Sequence, residues 1–405
     1  MDDKVFEKKC EFILELAKVS HEVGIQSRRL EQYLKKVTHS FGFEGEFLVT
    51  PSKIESHFSK PGEIFQESKM IHSRAGDFSL RKIDQLDELV RTILSGKVSL
   101  SEAQNKLVKI RISLDKAPDN MITSLGYFLS SAGFAGFLRC SVFDIVLSGL
   151  LGIFVFFLNK FMTRWLQRFD VMGLFFPPFF VAIILSLVSL FHSNIEFYFV
   201  VLSATIYLIP GFSISIGLIE VFYGYTLSGL ENFLNGLSRL LILFSGAFCG
   251  FFLMKTHVFI NISSSISDLW VWPSAVVLAI GLSLIFDTPK SIFFWVILGV
   301  LTSVLGILLG TSLMGPNFGN LLGSFFAILF GNIWSSKTKK PMSLILLPTF
   351  IFLVSGSIGF RGLVLLSQNQ FSIGIQELSH MFVVALSIGI GMCLANGIYR
   401  SNKEI

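Results

Sequence analysis

Residues 208–230, LIPGFSISIGLIEVFYGYTLSGL, recur in altered form at residues 353–375 as LVSGSIGFRGLVLLSQNQFSIGI. The two stretches align without gaps at an offset of 145 residues. Three pairs of glycines coincide within these stretches, namely Gly211 with Gly356, Gly217 with Gly362 and Gly229 with Gly374, and Gly246 coincides with Gly391 when the same offset is continued. Repetition at a fixed offset indicates a duplicated structural unit, here one that is rich in glycine and poor in charge.

The composition of the chain changes at about residue 120. Residues 1–120 carry charged side chains throughout, whereas residues 121–405 contain long runs with almost no charge. Over all 405 residues, 52% are hydrophobic and 15% are charged, against about 25% charged in an average soluble protein. The net charge of +5 gives no indication of nucleic-acid binding. We predict a soluble domain over 1–118, followed by membrane-embedded halves over 119–260 and 261–405.

The apolar part predicts about ten membrane-spanning helices, because a helix needs about 20 apolar residues to cross a bilayer. The candidate spans are 121–138, 142–160, 172–192, 197–219, 229–254, 270–286, 290–310, 317–334, 342–366 and 374–398. The offset of 145 carries the first three spans onto the sixth, seventh and eighth, so the ten form two groups of five. Because five is odd, the second group crosses in the opposite sense, which is a common plan of secondary transporters. The predicted fold is an all-α polytopic membrane protein with two inverted five-helix repeats after a small soluble α+β domain.

Basic residues in the short joints predict the orientation, because cytoplasmic loops carry an excess of lysine and arginine. The joints on the side of the N-terminus carry most of them: Lys160, Arg164, Arg168, Lys290, Lys337, Lys339, Lys340, Arg400 and Lys403. The joints on the other side carry only Arg139 and Lys255. No apolar segment that could act as a signal peptide precedes Met121. We expect a multi-pass protein with both termini in the cytoplasm.

Local patterns predict helices and strands in the soluble part. The expected elements are helices over 5–23 and 28–40, strands over 46–50, 53–58 and 63–71, a helix over 80–95, and a helix from Ser99. Ser27 is the expected N-cap of the second helix. Glu102 lies three residues after Ser99, which is the spacing of a capping box.

Each copy of the repeat interrupts a predicted span with glycine, and the first copy also with proline. Transporters built from inverted repeats bind substrate between such broken helices, where a helix N-terminus offers N–H donors and a positive dipole to a carboxylate. Arg361 follows the second break, and its planar guanidinium suits a carboxylate; the alternative is an interfacial anchor. The candidate substrate-binding residues are Pro210, Gly211, Ser213, Ser355, Gly356, Ser357 and Arg361.

Packing is the alternative role for the glycines, because small residues let helices in membranes approach closely. Three further sets have the spacing of such packing ridges: Gly246 and Gly250, Gly306 and Gly310, and Gly315, Gly319 and Gly323.

Four carboxylates in or beside the predicted spans are candidates for proton coupling: Glu220, Asp144, Glu231 and Glu377. Ionisable residues inside a membrane are costly and usually functional, and a carboxylate can carry a proton. Glu231 and Glu377 could instead lie in first helical turns, where they favour the helix dipole. Asp144 could cap the second span or line a cavity.

Motifs of enzymes and metal sites are missing from the sequence. The histidines lack zinc spacing, and no P-loop is present. Ser20, His21 and Asp77 could be combined into a hydrolytic set, but sequence separation says nothing about proximity. The four cysteines show neither metal nor disulfide spacing: Cys10, Cys140, Cys249 and Cys393. We predict that the protein is not an enzyme and has no catalytic residues, no metal and no cofactor.

Several motifs resemble the threonine/serine exporter family over nearly the whole chain. The motifs are SHEVGIQSRRLE at 20–31, Phe41-Gly42, Pro51-Ser52, GKVSLSEA at 96–103, LIPG at 208–211 and GSIGFRG at 356–362. The resemblance implies export of small amino acids from the cytoplasm of a bacterium across its inner membrane, energised by the proton gradient. A two-gene branch of the same superfamily is associated with succinate export, and there the two halves are separate chains.

We therefore predict a secondary exporter of threonine or serine, whose partners are its substrate, protons and the lipid bilayer, with no nucleic acid. A dicarboxylate such as succinate is the alternative substrate. The alternative of another class is a membrane receptor with a cytoplasmic output domain, although a signalling bundle needs no broken and repeated helices. The sequence leaves open whether the protein forms a homo-oligomer.

Overall fold

The computed structural model describes residues 3–60, 62, 66–73, 78–114, 119–165, 170–192, 194–256, 267–353 and 355–399. These residues form a small domain of helices and strands, here called the N-terminal domain, followed by a helical bundle. The elements of the N-terminal domain are α1 (Asp3–Glu22), α2 (Ser27–Ser40), β1 (Glu44–Thr50), β2 (Lys53–Ser59), β3 (Gln66–His72), α3 (Leu80–Leu94) and α4 (Leu100–Leu114). The predicted order of helices and strands in the soluble part is confirmed.

The three strands form one antiparallel sheet in the order β1-β2-β3. Ser56 at the centre of β2 is paired with Phe47 of β1 and Lys69 of β3. Alternate residues of β2 are buried, namely Ile54, Ser56 and Phe58, as expected for a strand with one covered face. The rings of Phe47 and Phe58 pack edge to face, with 5.7 Å between their centroids.

Two predicted helix caps have different outcomes. The capping box is confirmed, because the N–H of Ser99 donates to Glu102 Oε2 at 3.1 Å and the N–H of Glu102 donates to Ser99 Oγ at 3.4 Å. The prediction that Ser27 caps α2 is wrong. Ser27 is already the first helical residue, and Gln26 occupies the N-cap with an extended ψ of 143° and no capping hydrogen bond from its side chain.

The bundle follows the N-terminal domain and consists of the remaining helices of the described chain. These are α5 (Asn120–Phe137), α6 (Val142–Trp165), α7 (Asp170–Val188), α8 (Phe197–Ala204), α9 (Gly211–Phe222), α10 (Thr226–Leu253), α11 (Val271–Ile285), α12 (Lys290–Met314), α13 (Pro316–Thr338), α14 (Ser343–Phe352), α15 (Ser355–Ser367) and α16 (Phe371–Ile398).

The number of membrane crossings can be compared with the predicted ten. By length and apolarity, seven stretches of the described residues can cross a membrane, or eight if the bent pair 197–204 and 206–222 is one span. The two members of that pair are bent by 64°. The apolar helix α11 has only 15 residues, and α5 is not among the seven. A multi-pass membrane protein is therefore indicated, while ten crossings stay a prediction.

Glycines bring the helices of the bundle into close contact, as predicted for the packing ridges. A Cβ added at Gly246 of α10 would lie 2.2 Å from Phe175 O of α7, and one added at Gly250 would lie 2.5 Å from Phe179 O. Backbones at this separation leave no room for a side chain. Gly315 does not belong to such a ridge, because it joins α12 to α13 at φ +90°, with nothing within 4 Å of an added Cβ.

The N-terminal domain covers one end of the bundle. The contacts across this interface include three at separate joints of the bundle. The guanidinium of Arg28 lies 4.5 Å from the ring centroid of Tyr223, the N–H of Leu80 donates to Phe286 O at 2.9 Å, and Arg91 Nη1 donates to Lys339 O at 2.8 Å. Tyr223, Phe286 and Lys339 lie in the joints that directly follow α9, α11 and α13. These three joints therefore lie at the same end of the bundle. Among the basic residues predicted at this end, Arg168, Arg400 and Lys403 lie outside the described residues.

Candidate functional site

The first predicted helix break is present. The second falls between two helices where residue 354 lies outside the described residues, and residues 343–367 together have the length and apolarity of one membrane span. In the first, α8 ends at Ala204, and α9 begins at Gly211 with Pro210 at its N-cap. In the second, α14 ends at Phe352 and α15 begins at Ser355. Proline has no N–H to donate and fixes its own φ, so Pro210 separates α9 from the preceding turn.

The two breaks lie against each other. A Cβ added at Gly356 would lie 3.0 Å from both the Cα and the N of Gly211, and 2.7 Å from Cγ2 of Ile209. The hydroxyl of Tyr198 donates to the carbonyl of Ser357 at 3.0 Å, which ties α8 to the first turn of α15. Sequence reasoning missed Tyr198, because an aromatic residue in an apolar run carries no distinguishing signal. The structure brings the predicted residues of both breaks to one place in the bundle.

Two helix N-termini begin at this place, one at Gly211 and one at Ser355. The dipole of a helix favours negative charge at its N-terminus. Ser213 is half-buried in the first turn of α9, where Gly236 of α10 packs against it. Such an arrangement can hold a small carboxylate with backbone donors and place a hydroxyl nearby.

Arg361 pairs with a carboxylate of the protein. Its Nη2 donates to Glu377 Oε2 of α16 at 2.6 Å, and the two side chains are 26% and 18% exposed. Among the described residues, Nε of Arg361 is buried without a hydrogen-bond partner. Glu377 is therefore the counter-ion of Arg361, and the guanidinium keeps one donor that a second carboxylate could accept from.

Two polar residues extend this ion pair. His380 Nδ1 lies 3.9 Å from Glu377 Oε2, and His380 Nε2 lies 2.7 Å from Asn317 Oδ1. Asn317 stands at the start of α13, and the other end of that helix meets the N-terminal domain through Lys339. The ion pair with His380 and Asn317 therefore lies at the end of the bundle opposite the N-terminal domain.

Glu220 lies near the end of α9 and is only 5% exposed. Its Oε2 accepts hydrogen bonds from Ser228 Oγ and Asn232 Nδ2, both at 2.8 Å. Asn232 precedes Glu377 by 145 residues, so the two occupy the same repeat position on α10 and α16. In each half, the helix after the break is thus tied to the next helix by a polar side chain at this repeat position.

Asp144 takes part in a helix cap. The N–H of Asp144 donates to Ser141 Oγ at 3.1 Å, and the Ser141 hydroxyl donates to Asp144 Oδ2 at 2.9 Å. Ser141 directly precedes α6. Ser141 is therefore the residue that caps α6, and the fully buried carboxylate of Asp144 accepts from the Ser141 hydroxyl. Both alternatives for Asp144 stay predictions.

The alternative that Glu231 and Glu377 lie in first helical turns is wrong. No acidic residue lies in the first turn of α10, which begins at Thr226, or of α16, which begins at Phe371. These helices begin earlier than predicted because the chain reverses sharply before them. The dipole of a helix acts mainly on its first turn and therefore does not explain either carboxylate.

Adjacent arginines of α2 reach both halves of the bundle. Arg28 stacks on Tyr223, the residue directly after α9. Arg29 Nη1 donates to the hydroxyl of Ser343, the first residue of α14, and Arg29 Nη2 lies 3.1 Å from Asp87 Oδ1. Sequence reasoning did not select these arginines, and their only signal was their place in the segment that resembles the exporter family.

The residues considered as a hydrolytic set have other surroundings. His21 Nδ1 lies 2.9 Å from Ser73 Oγ, and burial lowers the pKa of His21. Ser20 Oγ has no hydrogen-bond partner within the described ranges, and Asp77 lies outside them. In the part of the chain that the structure describes, no group of three or more His, Cys, Asp or Glu residues could hold a metal ion.

Comparison with protein families gives two matches. A family model described as a threonine/serine exporter (ThrE) matches residues 11–254, and a second one described as Threonine/Serine exporter, ThrE, matches residues 273–398. The two matches include most of the N-terminal domain and both helix breaks. No curated protein and no solved structure matches the chain.

Proposed function

The chain belongs to the threonine/serine exporter family, and on this premise we propose that it exports threonine and serine from the bacterial cytoplasm, driven by the proton gradient. Membership supports a membrane exporter, and the family is one of transporters. The observation that supports export of threonine and serine through a site in the bundle is the contact between the two helix breaks at Gly211 and Gly356. We place the protein in the inner membrane, with both termini on the cytoplasmic side.

The two halves, in this proposal, form an inverted repeat about a pseudo-twofold axis. A residue on a twofold axis lies against its own counterpart. Gly211 and Gly356 are counterparts at the offset of 145 and are in contact. Gly133 and Leu278 are a second such pair, because a Cβ added at Gly133 would lie 2.5 Å from Leu278 N. Both pairs support an axis that passes between the breaks.

The substrate carboxylate binds between the N-termini of α9 and α15, at Pro210-Gly211 and Ser355-Gly356. The hydroxyls of Ser213 and Ser357 are the partners for the substrate's own hydroxyl. Arg361 contributes charge to the site from the second turn of α15. Its pairing with Glu377 keeps the cation in place while the site is empty.

Proton coupling is assigned to the two carboxylates at the equivalent polar contacts. Glu377 lies at the end of the bundle away from the N-terminal domain, and its protonation would release Arg361 from the ion pair. Glu220 lies towards the N-terminal domain and is held by hydrogen bonds alone. Asp144 accepts from the hydroxyl of Ser141 before α6, and Glu231 interacts electrostatically with His21 of the N-terminal domain; we do not assign the coupling proton to either of them.

Transport by purified protein in proteoliposomes tests this function. We expect labelled threonine and serine to accumulate when a proton gradient is imposed and to exchange without one. Glu220→Gln should keep exchange but lose gradient-driven accumulation, and Arg361→Ala should weaken substrate affinity. Arg239→Ala, which changes an exposed arginine of α10, is the control. Transport of succinate alone would favour the dicarboxylate alternative, and no transport by folded protein would favour the receptor.

A further inference from the structure

A histidine stands beside the ion pair of Arg361 and Glu377, one turn further along α16. His380 Nε2 lies 2.7 Å from Asn317 Oδ1 of α13. An amide oxygen can only accept a hydrogen bond, so Nε2 carries a hydrogen and donates it. The other ring nitrogen, Nδ1, lies 3.9 Å from Glu377 Oε2. Asn317 therefore leaves Nδ1 as the nitrogen that gains or loses a proton.

The distance between His380 Nδ1 and Glu377 Oε2 fits a neutral ring that is close to its acceptor but not bonded to it. In the neutral ring, Nδ1 holds a lone pair and has no hydrogen to donate to a carboxylate. Protonation makes Nδ1 a donor, and a movement of roughly 1 Å would then close a charge-assisted hydrogen bond. The side chain of His380 is 29% exposed, so water can bring the proton to it.

Glu377 and, through it, Arg361 are the charged groups beside His380 among the residues that the structure describes. The helices α9, α13 and α15 pack against α16, and α10 touches it where the ring of Phe233 meets that of Phe382. The other charged residues of these helices lie elsewhere: Lys337 in the last turn of α13, Glu220 towards the N-terminal domain, Glu231 in electrostatic interaction with His21, and the exposed Arg239.

The oxygen of Glu377 that lies near His380 is also the one that holds Arg361. Arg361 Nη2 donates to this Oε2 at 2.6 Å. A proton that arrives on Oε2 removes the charge of the carboxylate and takes the place of the guanidinium at that atom. The position of His380 therefore allows it to break the ion pair rather than merely to neighbour it.

We propose that His380 takes up the proton on the side opposite the N-terminal domain, here called the outer side, and passes it to Glu377. This step rests on the proposed function, in which protonation of Glu377 releases Arg361. The Nδ1–H bond of His380 breaks and an O–H bond forms at Glu377 Oε2, while Nε2 keeps its hydrogen bond to Asn317. The ring returns to its neutral form, and Arg361 is free to pair with the carboxylate of a substrate.

Transport by the full-length chain in oriented proteoliposomes, with the pH varied on the outer side alone, tests this relay. His380→Gln keeps a side-chain amide that can donate to Asn317 but carries no proton. It should lower gradient-driven threonine accumulation at least about tenfold and flatten its dependence on the outer pH between about 5 and 8, where histidine changes charge. His192→Gln, at an exposed histidine that lies against Phe143, is the matched control and should behave as the parent.

A double variant separates the relay from a packing role. In Glu377→Gln, Arg361 has no carboxylate to leave, so adding His380→Gln should change transport no further. Unchanged accumulation and pH dependence in His380→Gln would overturn the proposal even if the protein exports threonine. Equal and additive losses from His380→Gln in the parent and in Glu377→Gln would overturn it as well, because His380 would then act without Glu377.

Asn317→Asp moves the pH dependence in a direction that lost packing does not. The substitution places a carboxylate of the same shape on Nε2 and stabilises the protonated ring, so the midpoint of the outer pH dependence should rise by at least about one unit. Nuclear magnetic resonance of labelled histidine should show the same rise for one histidine, and a fall for it in Glu377→Gln. A histidine signal that ignores both variants refutes the relay. Failure of the parent protein to transport any substrate, with these signals as expected, would refute the proposed function alone.

Discussion

Gly356 lies against Gly211, close enough that a Cβ on Gly356 would stand 3.0 Å from the Cα and N of Gly211. The two glycines are counterparts in the repeat, and each lies at the start of a helix that follows a break. An added Cβ on Gly356 would therefore meet the side chain of Ile209 at 2.7 Å and the backbone of Gly211 at 3.0 Å. Any side chain at this point must separate the two breaks.

The first prediction concerns this contact. Gly356→Ala should lower transport at least tenfold, because the added methyl group meets the backbone of Gly211 and Cγ2 of Ile209. Overpacking of this kind typically costs about 1–3 kcal/mol of stability. We expect the bundle to stay folded at that cost, with the residues of the two breaks moved apart. Initial rates of threonine exchange measure the effect.

Gly389→Ala is the control for this substitution. Gly389 is a buried glycine of α16, and the nearest atom to its added Cβ is Ile219 Cγ1 at 3.5 Å, an ordinary contact. Its transport should stay near that of the parent. Equal rates for the Gly356→Ala and Gly389→Ala variants would show that the contact between the breaks is unimportant for transport.

A charge exchange tests the ion pair of Arg361 and Glu377. Either Arg361→Glu or Glu377→Arg places two like charges at a partly buried site and should destabilise the protein by about 3 kcal/mol. The double variant restores an opposite pair and should recover most of the thermal stability. Transport should not recover, because the cation then projects from α16 instead of α15. Recovery of both properties would mean that Arg361 has only a structural role.

The docking of the N-terminal domain depends on Arg29. Arg29 bonds to Ser343 of the bundle and to Asp87 of α3 within the N-terminal domain, and the Arg29–Asp87 pair is 16% and 9% exposed. The Arg81–Asp287 pair crosses from the N-terminal domain to the bundle and is 55% and 34% exposed. Arg29→Ala leaves a buried carboxylate with fewer partners and should cost about 3 kcal/mol, against less than about 1 kcal/mol for Arg81→Ala. Thermal unfolding in detergent and limited proteolysis compare the two. Similar losses for both variants would contradict the assigned role of Arg29.

Features set by neighbours in the sequence were predictable. The alternating burial in β2, the capping box of Ser99 and Glu102, and the break at Pro210-Gly211 follow from residue type and spacing within a few positions. The ridge glycines Gly246 and Gly250 were predictable too, because two small residues one turn apart form a groove whichever helix fills it.

Features set by distant residues were not predictable. Arg361 and Glu377 were both candidates, yet nothing in the sequence paired them with each other. Asn232 was not selected, since an amide in an apolar run has no marked chemistry until its partner Glu220 is known. Helix starts were also missed: a residue such as Asn369, which takes φ +60° before α16, is not marked by composition. The docking contact of Arg28 depends entirely on how two separate units meet.

The last prediction concerns pH and stability. The ordinary pKa of a glutamate is about 4.3, and burial raises that of Glu31 to about 7 in the folded protein. The folded state therefore holds this proton more tightly than the unfolded state. Below about pH 4 both states are protonated and Glu31 costs nothing, whereas stability falls as the pH rises from 4.3 to 7 and then levels off.

Glu31→Gln should remove this fall, because the amide oxygen can still accept the N–H of Val49 and carries no charge to desolvate. The variant should match the parent near pH 4 and exceed it at pH 8 by an amount on the order of 3 kcal/mol. Unfolding of the two proteins at pH 4, 6 and 8 gives the comparison, with Glu44→Gln as the exposed control that should show no such divergence. A Glu31→Gln variant that gains nothing at pH 8 would mean that Glu31 is charged in the folded protein without cost.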